Sequence, residues 1–130
     1  MKFLVGYDNA KKSEHVLALA KKYAKAFKAE IHFLTSTSYG PELETTEFEE
    51  IKAALEKLKS DFKNDGIDCE THIVSRSISP GEDLVDFARR ASIDKIIIGS
   101  RKKSKIGILL LGSTAQYVVL EADCPVVVVK

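Results

Sequence analysis

Four stretches carry apolar side chains at nearly every position: Phe3-Leu4-Val5-Gly6, Ile31-His32-Phe33-Leu34, Ile96-Ile97-Ile98 and Val126-Val127-Val128-Val129. Such runs, the last two almost wholly β-branched, belong to strands covered on both faces rather than to strands with one wet side. Cys69 to Val74 is a weaker fifth candidate, with Glu70 and His72 alternating with Thr71, Ile73 and Val74.

Helical spacing fills the intervals. Val16, Leu19, Ala20, Tyr23 and Phe27 recur three and four apart with lysines on the other face, the pattern of an amphipathic helix laid on a sheet. A second helix runs from about Leu43 to Asn64, with Phe48, Ile51, Leu55, Leu58 and Phe62 as its seam and Gly66 placed to end it. The seam lasts about two heptads, which reads as core packing rather than a coiled coil. Ser79-Pro80-Gly81-Glu82 opens a third helix with a capping serine, a proline at the first helical position and a glutamate in capping-box register. A fourth begins near Ser113, where Gln116 again stands three residues on, and ends before Cys124-Pro125.

The order β-α-β-α-β-α-β-α-β argues for an α/β fold: a doubly wound, five-stranded parallel sheet with right-handed crossovers and helices on both faces. No internal repeat, low-complexity tract or linker interrupts it, so residues 1–130 read as one domain. A chain of 130 residues buries roughly two-thirds of its unfolded surface without help from metal or disulfide.

Charge narrows the partners. Twenty basic against nineteen acidic side chains leave no field for generic attraction to nucleic acid or to an anionic membrane, so any anion site must be local. Cys69 and Cys124 follow no metal-ligand spacing and read as small core residues in a reducing compartment. Asp8 interrupts the first apolar run too early for a signal peptide, and no run approaches the roughly 20 apolar residues of a membrane span. The expectation is a soluble, cytoplasmic protein.

Open parallel sheets bind ligands outside the carboxyl ends of their strands, near the reversal of strand order. Three segments qualify: Asp8-Asn9-Ala10, Thr35-Ser36-Thr37, and the passage from Gly99 to Thr114. That passage suits an anion, because glycines admit close backbone approach, a helix N-terminus carries partial positive charge, and Ser113 and Thr114 offer hydroxyls. Plainer readings stand beside this one. Gly112-Ser113 with Gln116 also makes a helix cap, and Arg101 to Lys105 also reads as a solvated loop. No G-x-S-x-G elbow, H-E-x-x-H helix or clustered His and carboxylate set marks an enzyme. His15, His32 and His72 read as structural or exposed. A response-regulator receiver would need an aspartate where Ser75-Arg76-Ser77 stands, and a flavodoxin a hydroxyl-rich loop where Asn9-Ala10-Lys11-Lys12 stands.

From Val5-Gly6-Tyr7-Asp8 through Ala29-Glu30-Ile31-His32-Phe33-Leu34 and Gly99-Ser100-Arg101 to Leu109-Leu110-Leu111-Gly112-Ser113 and Cys124-Pro125-Val126-Val127-Val128-Val129, the whole chain resembles a universal stress protein. The resemblance implies an adenine nucleotide alpha hydrolase-like fold with strand order 3-2-1-4-5. In the nucleotide-binding branch it implies a loop G-x2-G-x9-G-[ST] that holds ATP phosphates. Gly99 and Gly112-Ser113 keep its ends and spacing; Lys102 stands at the middle glycine. By the same resemblance Asp8 faces the adenosine end, Ser36 falls where a valine backbone often meets adenine, and Thr114 lies one residue into the phosphate-facing helix. An Asx turn for Asp8 and an ordinary loop hydroxyl for Ser36 are the alternatives.

In a left-handed backbone Lys102 would cost about 1–2 kcal/mol and crowd the phosphates; as a cation beside Arg101 and Lys103 it would hold them. The resulting expectation is a regulatory domain that binds ATP, ADP or AMP, with Mg2+ on the phosphates and at most slow hydrolysis. Its alternative is a nucleotide-independent stress-response module with a degenerate loop. The resemblance also implies a homodimer paired through the final strand at the sheet edge.

Overall fold

The computed structural model describes residues 1–8, 13–37, 45–75, 79–100, 102–103 and 109–130, with the backbone alone at Thr45, Ser75, Lys102, Lys103, Leu109 and Leu110. Five of its strands, β1 (Lys2–Gly6), β2 (Glu30–Thr37), β3 (Cys69–Ser75), β4 (Lys95–Gly99) and the last, β7 (Val126–Val129), form one sheet. All its neighbours are parallel, in the order β3-β2-β1-β4-β7. This is the doubly wound arrangement expected, with order 3-2-1-4-5 when the sheet strands alone are counted. Helices α1 (Ser13–Phe27), α2 (Thr45–Asn64), α3 (Pro80–Arg90) and α4 (Ser113–Glu121) connect them, and a two-residue ladder, β5 (Lys102–Lys103) with β6 (Leu109–Leu110), lies between β4 and α4.

Alternation along β1 divides the core. Phe3 and Val5 enter the layer covered by α1 and α2, with Val16, Ala20, Leu55 and Phe62, while Leu4 enters the layer of α3 and α4, with Leu84, Ala88 and Val118. The helical seams are narrower than their sequence pattern. On α1 the buried positions are Val16, Ala20 and Ala24, and Phe27 is half exposed, its ring edge-on to Phe3. On α2, Phe48 falls outside the seam and is exposed.

Three helices end on one device. Gly66, with φ of 77°, follows α2; its N–H donates to the Lys63 carbonyl and that of Ile67 to the Phe62 carbonyl, the paired bonds of a Schellman motif. Lys28 (φ 52°) and Ser92 (φ 54°) take the same left-handed position after α1 and α3, with Ala29 donating back to Ala24 and Ile93 to Ala88. Only the first carries the glycine that announces such an end. At its other end α3 starts as the sequence indicates: the Ser79 hydroxyl accepts the Glu82 N–H and Pro80 takes the first turn.

A polar chain crosses β2 and β3. The Glu30 carboxylate accepts from His32 Nε2 at 2.6 Å, and His32 Nδ1 meets His72 Nε2 at 3.0 Å. The two imidazole planes lie within 11° and their centroids are 5.2 Å apart, a separation reached at that N···N distance only when the rings lie end to end. Phe87 of α3 packs on both rings. Burial, then the neighbouring His32, holds the His72 imidazole below its ordinary range; Glu70 opposes and Lys59 adds to the effect.

Two stability predictions follow from these features. Ser92→Gly relieves the left-handed strain of a residue with a Cβ, offset by greater freedom in the unfolded chain, and is expected to gain about 0.5–1 kcal/mol in urea denaturation. Because His72 is harder to protonate folded than unfolded, its contribution is complete above about pH 6.5 and is lost as pH falls below that value. The thermal midpoint of the natural chain is therefore expected to fall more steeply between pH 7.5 and 5 than that of His72→Gln.

Candidate functional site

The sheet reverses winding direction at β1 and β4: from β1 the chain proceeds outward through β2 and β3, and from β4 outward to β7. A cleft of about 400 Å³ opens there, at the carboxyl ends of the strands. Its volume lies within the range of small-molecule sites. Gly6, Tyr7 and Asp8 line it from the end of β1, Leu34 and Ser36 from β2, Gly99 and Ser100 from β4, Pro80 and Leu84 from α3, Ser13 and Val16 from α1, and Gly112, Thr114 and Ala115 from α4.

Neighbouring side chains crowd the two strand-end glycines. A Cβ on Gly6 would come 3.3 Å from Leu84 Cδ1, and one on Gly99 would come 3.2 Å from Val16 Cγ2. At Gly99 the tight neighbour is Val16 of α1, and no positive φ singles out glycine there. The next amide is already committed, since the Ser100 N–H donates to the Val129 carbonyl at 2.7 Å. Among the described residues, the first-turn amides of α4 are main-chain donors that remain for an anion.

At α4 the structure corrects the capping box. Gly112, not Ser113, is the N-cap, and its carbonyl accepts the first helical bond from Gln116 at 3.0 Å. A glycine cap has no side chain to accept the first-turn amides, so these face the solvent or a ligand with the positive end of the helix behind them. Ser113 lies in the first turn, exposed and outside the cleft wall, whereas Thr114 lines it.

The opposite end is acidic and tightly hydrogen-bonded. Thr35 Oγ1 donates to the Tyr7 carbonyl at 2.8 Å, and the Tyr7 N–H donates to the Leu34 carbonyl at 3.0 Å, which holds the exit of β1 against β2. Asp8 is exposed at the mouth, with Ser13 Oγ 3.5 Å from its Oδ1. Burial, then the adjacent Asp8, raises the Tyr7 phenol above its ordinary range, so it keeps its proton. Ser36 is a strand residue, not a loop residue: the segment Thr35–Thr37 belongs to β2, and Ser36 Oγ donates to Asp83 Oδ2 on α3.

The cleft thus brings together Asp8, Ser36, Gly99, Gly112 and Thr114. Lys102 lies in β5, opposite Leu110. A ladder residue is extended, so the penalty for a left-handed lysine does not arise. Arg101 lies outside the described residues. Tyr7, Ser13, Ser100 and Asp83 were not singled out from the sequence. Asp83 is separated from Ser36 by 47 positions, and only the folding of α3 across the end of β2 joins them. Among the described residues no group of three His, Cys, Asp or Glu side chains could hold a metal ion.

An open parallel sheet with a ligand-sized cleft at its switch point, a glycine-capped helix at one end and the Asp8 carboxylate at the other defines a doubly wound α/β domain. More particularly, the chain belongs to the universal stress protein family, whose family model matches residues 1–130. A universal stress protein of Methanocaldococcus jannaschii is 35% identical over 82 residues, covering 63% of this chain and 47% of its own length, so the match spans about half of that relative. One from Thermus aquaticus is 31% identical over 133 residues, covering 98% of this chain and 96% of the relative.

Solved structures agree on the fold. The universal stress protein from Archaeoglobus fulgidus superposes with a TM-score of 0.86 at 31% identity, covering 100% of this chain and 98% of that one. The universal stress protein from the same organism in complex with dAMP gives 0.82 at 28%, with coverage of 100% and 98%. A universal stress protein in complex with cAMP gives 0.77 at 26%, with coverage of 99% and 95%.

Proposed function

We propose that this chain binds an adenine nucleotide in the cleft between β1 and β4, as a regulatory domain rather than as an enzyme with its own catalytic set. The observation that carries the reading is polarity along the cleft. Gly112 presents the uncapped first turn of α4 beside Gly99 and Thr114 at one end, and Asp8 and Ser36 stand at the other. Phosphates fit the first end, where main-chain amides and a helix dipole meet negative charge. A nucleoside fits the second, where carboxylate and hydroxyl oxygens accept from ribose hydroxyls and base amines. Complexes of relatives with dAMP and cAMP support the same ligand class. In this reading Lys102 and Arg101 add cationic partners to the phosphate end, Ser113 borders it, and magnesium enters on the phosphates. A cytoplasmic home fits such a ligand.

Ligand at one hundred times its dissociation constant stabilises a fold by about 2.7 kcal/mol, so millimolar ATP, ADP or AMP, with and without magnesium, is expected to raise the thermal midpoint. Asp8→Ala is expected to weaken binding about tenfold, the worth of one hydrogen bond to a charged group. No rise with any of the three nucleotides would overturn the proposal.

A second reading, assembly into a homodimer, draws on the sheet edge. β7 pairs with β4 on one side, its four valines are only half buried, and Val119 and Leu120 of α4 are 45% and 79% exposed. Apolar edge strands tend to pair. Sedimentation velocity at micromolar concentration is expected to give a dimer; a monomer throughout that range would exclude pairing at β7.

A further inference from the structure

We infer that Asp83 turns Ser36 into a one-way hydrogen-bonding group, an acceptor towards the cleft, and that this pair selects a 6-aminopurine over a 6-oxopurine. The inference rests on the nucleotide reading above and deepens it by assigning the side chains that read the base.

A serine hydroxyl carries one proton and two lone pairs, so what it offers a ligand depends on where the proton points. Here a carboxylate decides. Asp83 Oδ2 lies in hydrogen-bonding contact with Ser36 Oγ, and a carboxylate oxygen can only accept, so the Ser36 proton is held on the Asp83 side. Ser36 lines the cleft, and Asp83 is not among the residues that do. The face of Oγ left to the cleft bears lone pairs alone.

Location gives that oxygen its target. Ser36 is on β2, separated from β4 by β1, so it stands two strand spacings, about 10 Å, across the sheet from the Gly99 and α4 end. With phosphate at α4, that distance reaches the base. The exocyclic amine at position 6 of adenine donates, which an acceptor satisfies. The carbonyl oxygen at position 6 of hypoxanthine or guanine would meet a second acceptor, leaving both unpaired and repelling. Asp83 is thus a positioning residue, acting through Ser36.

The test compares AMP with IMP, which differ in the group at position 6 and in the proton that N1 carries in IMP, by calorimetric titration of the full chain. The natural protein is expected to prefer AMP by about tenfold or more. Asp83→Ala frees the hydroxyl to rotate and donate, and is expected to bring the two affinities within about threefold, chiefly by improving IMP. Ser36→Ala is expected to remove the preference by weakening AMP. A general loss of structure would weaken both ligands and leave their ratio unchanged, and an unliganded melting curve of each variant reads the fold directly. If Asp83→Ala does not fold, Ser36→Ala decides alone. An AMP preference that survives removal of either side chain overturns the inference and leaves nucleotide binding standing, whereas failure of the natural chain to bind AMP or IMP removes both.

Discussion

Everything in this molecule is referred to β1. Phe3, Leu4 and Val5 are wholly buried, the strand is bonded to β2 along one edge and to β4 along the other, and its alternating side chains are shared between the two helical layers. A strand with both edges and both faces occupied has no free direction in which to slip, since a shift of one residue would exchange the apolar sets of the two layers. That constraint fixes where β1 stops. Gly6 stops it under Leu84, the chain turns out through Tyr7 and Asp8, and the cleft begins where the main-chain ladder runs out.

The cleft keeps opposite electrostatic characters apart using backbone on one side and side chains on the other. At the α4 end, positive character comes from a glycine-capped helix, so it does not titrate and adds little bulk. At the β2 end, oxygen atoms dominate and are themselves oriented: Thr35 secures the Tyr7 carbonyl, Ser13 lies near Asp8, and Asp83 secures Ser36. The Tyr7 carbonyl and the Ser36 hydroxyl on this wall are each bonded by a side chain of another element. Bonds of this kind fix polar groups within the fold itself, and such preorganisation lowers the ordering penalty of any association.

What the sequence disclosed follows the range of the forces involved. Runs such as Ile96-Ile97-Ile98 revealed both the strand and its double burial, because burial on two faces leaves no polar phase to hide the signal. Gly66 and Ser79-Pro80 marked helix ends through purely local chemistry. Lys28 and Ser92 did not, because tertiary packing drives residues with ordinary side chains into a conformation that glycine would advertise. Among the site residues, the ends of the 99–114 passage were legible from spacing. The exact cap was not: Ser113 and Gln116 satisfy the capping-box pattern one residue out of phase with the helix that forms. Asp83 was invisible for a different reason, since its contact with Ser36 depends on how two crossovers lie against one sheet.

The short ladder joining Lys102–Lys103 to Leu109–Leu110 bears on how such a site tolerates change. It joins two points of the chain that lie between the strand ending at Gly99 and the helix starting after Gly112. Pairing at two points of the chain between Gly99 and Gly112 divides that interval, and the entropic penalty of closing a loop grows slowly, by only about 0.6 kcal/mol for each doubling of its length.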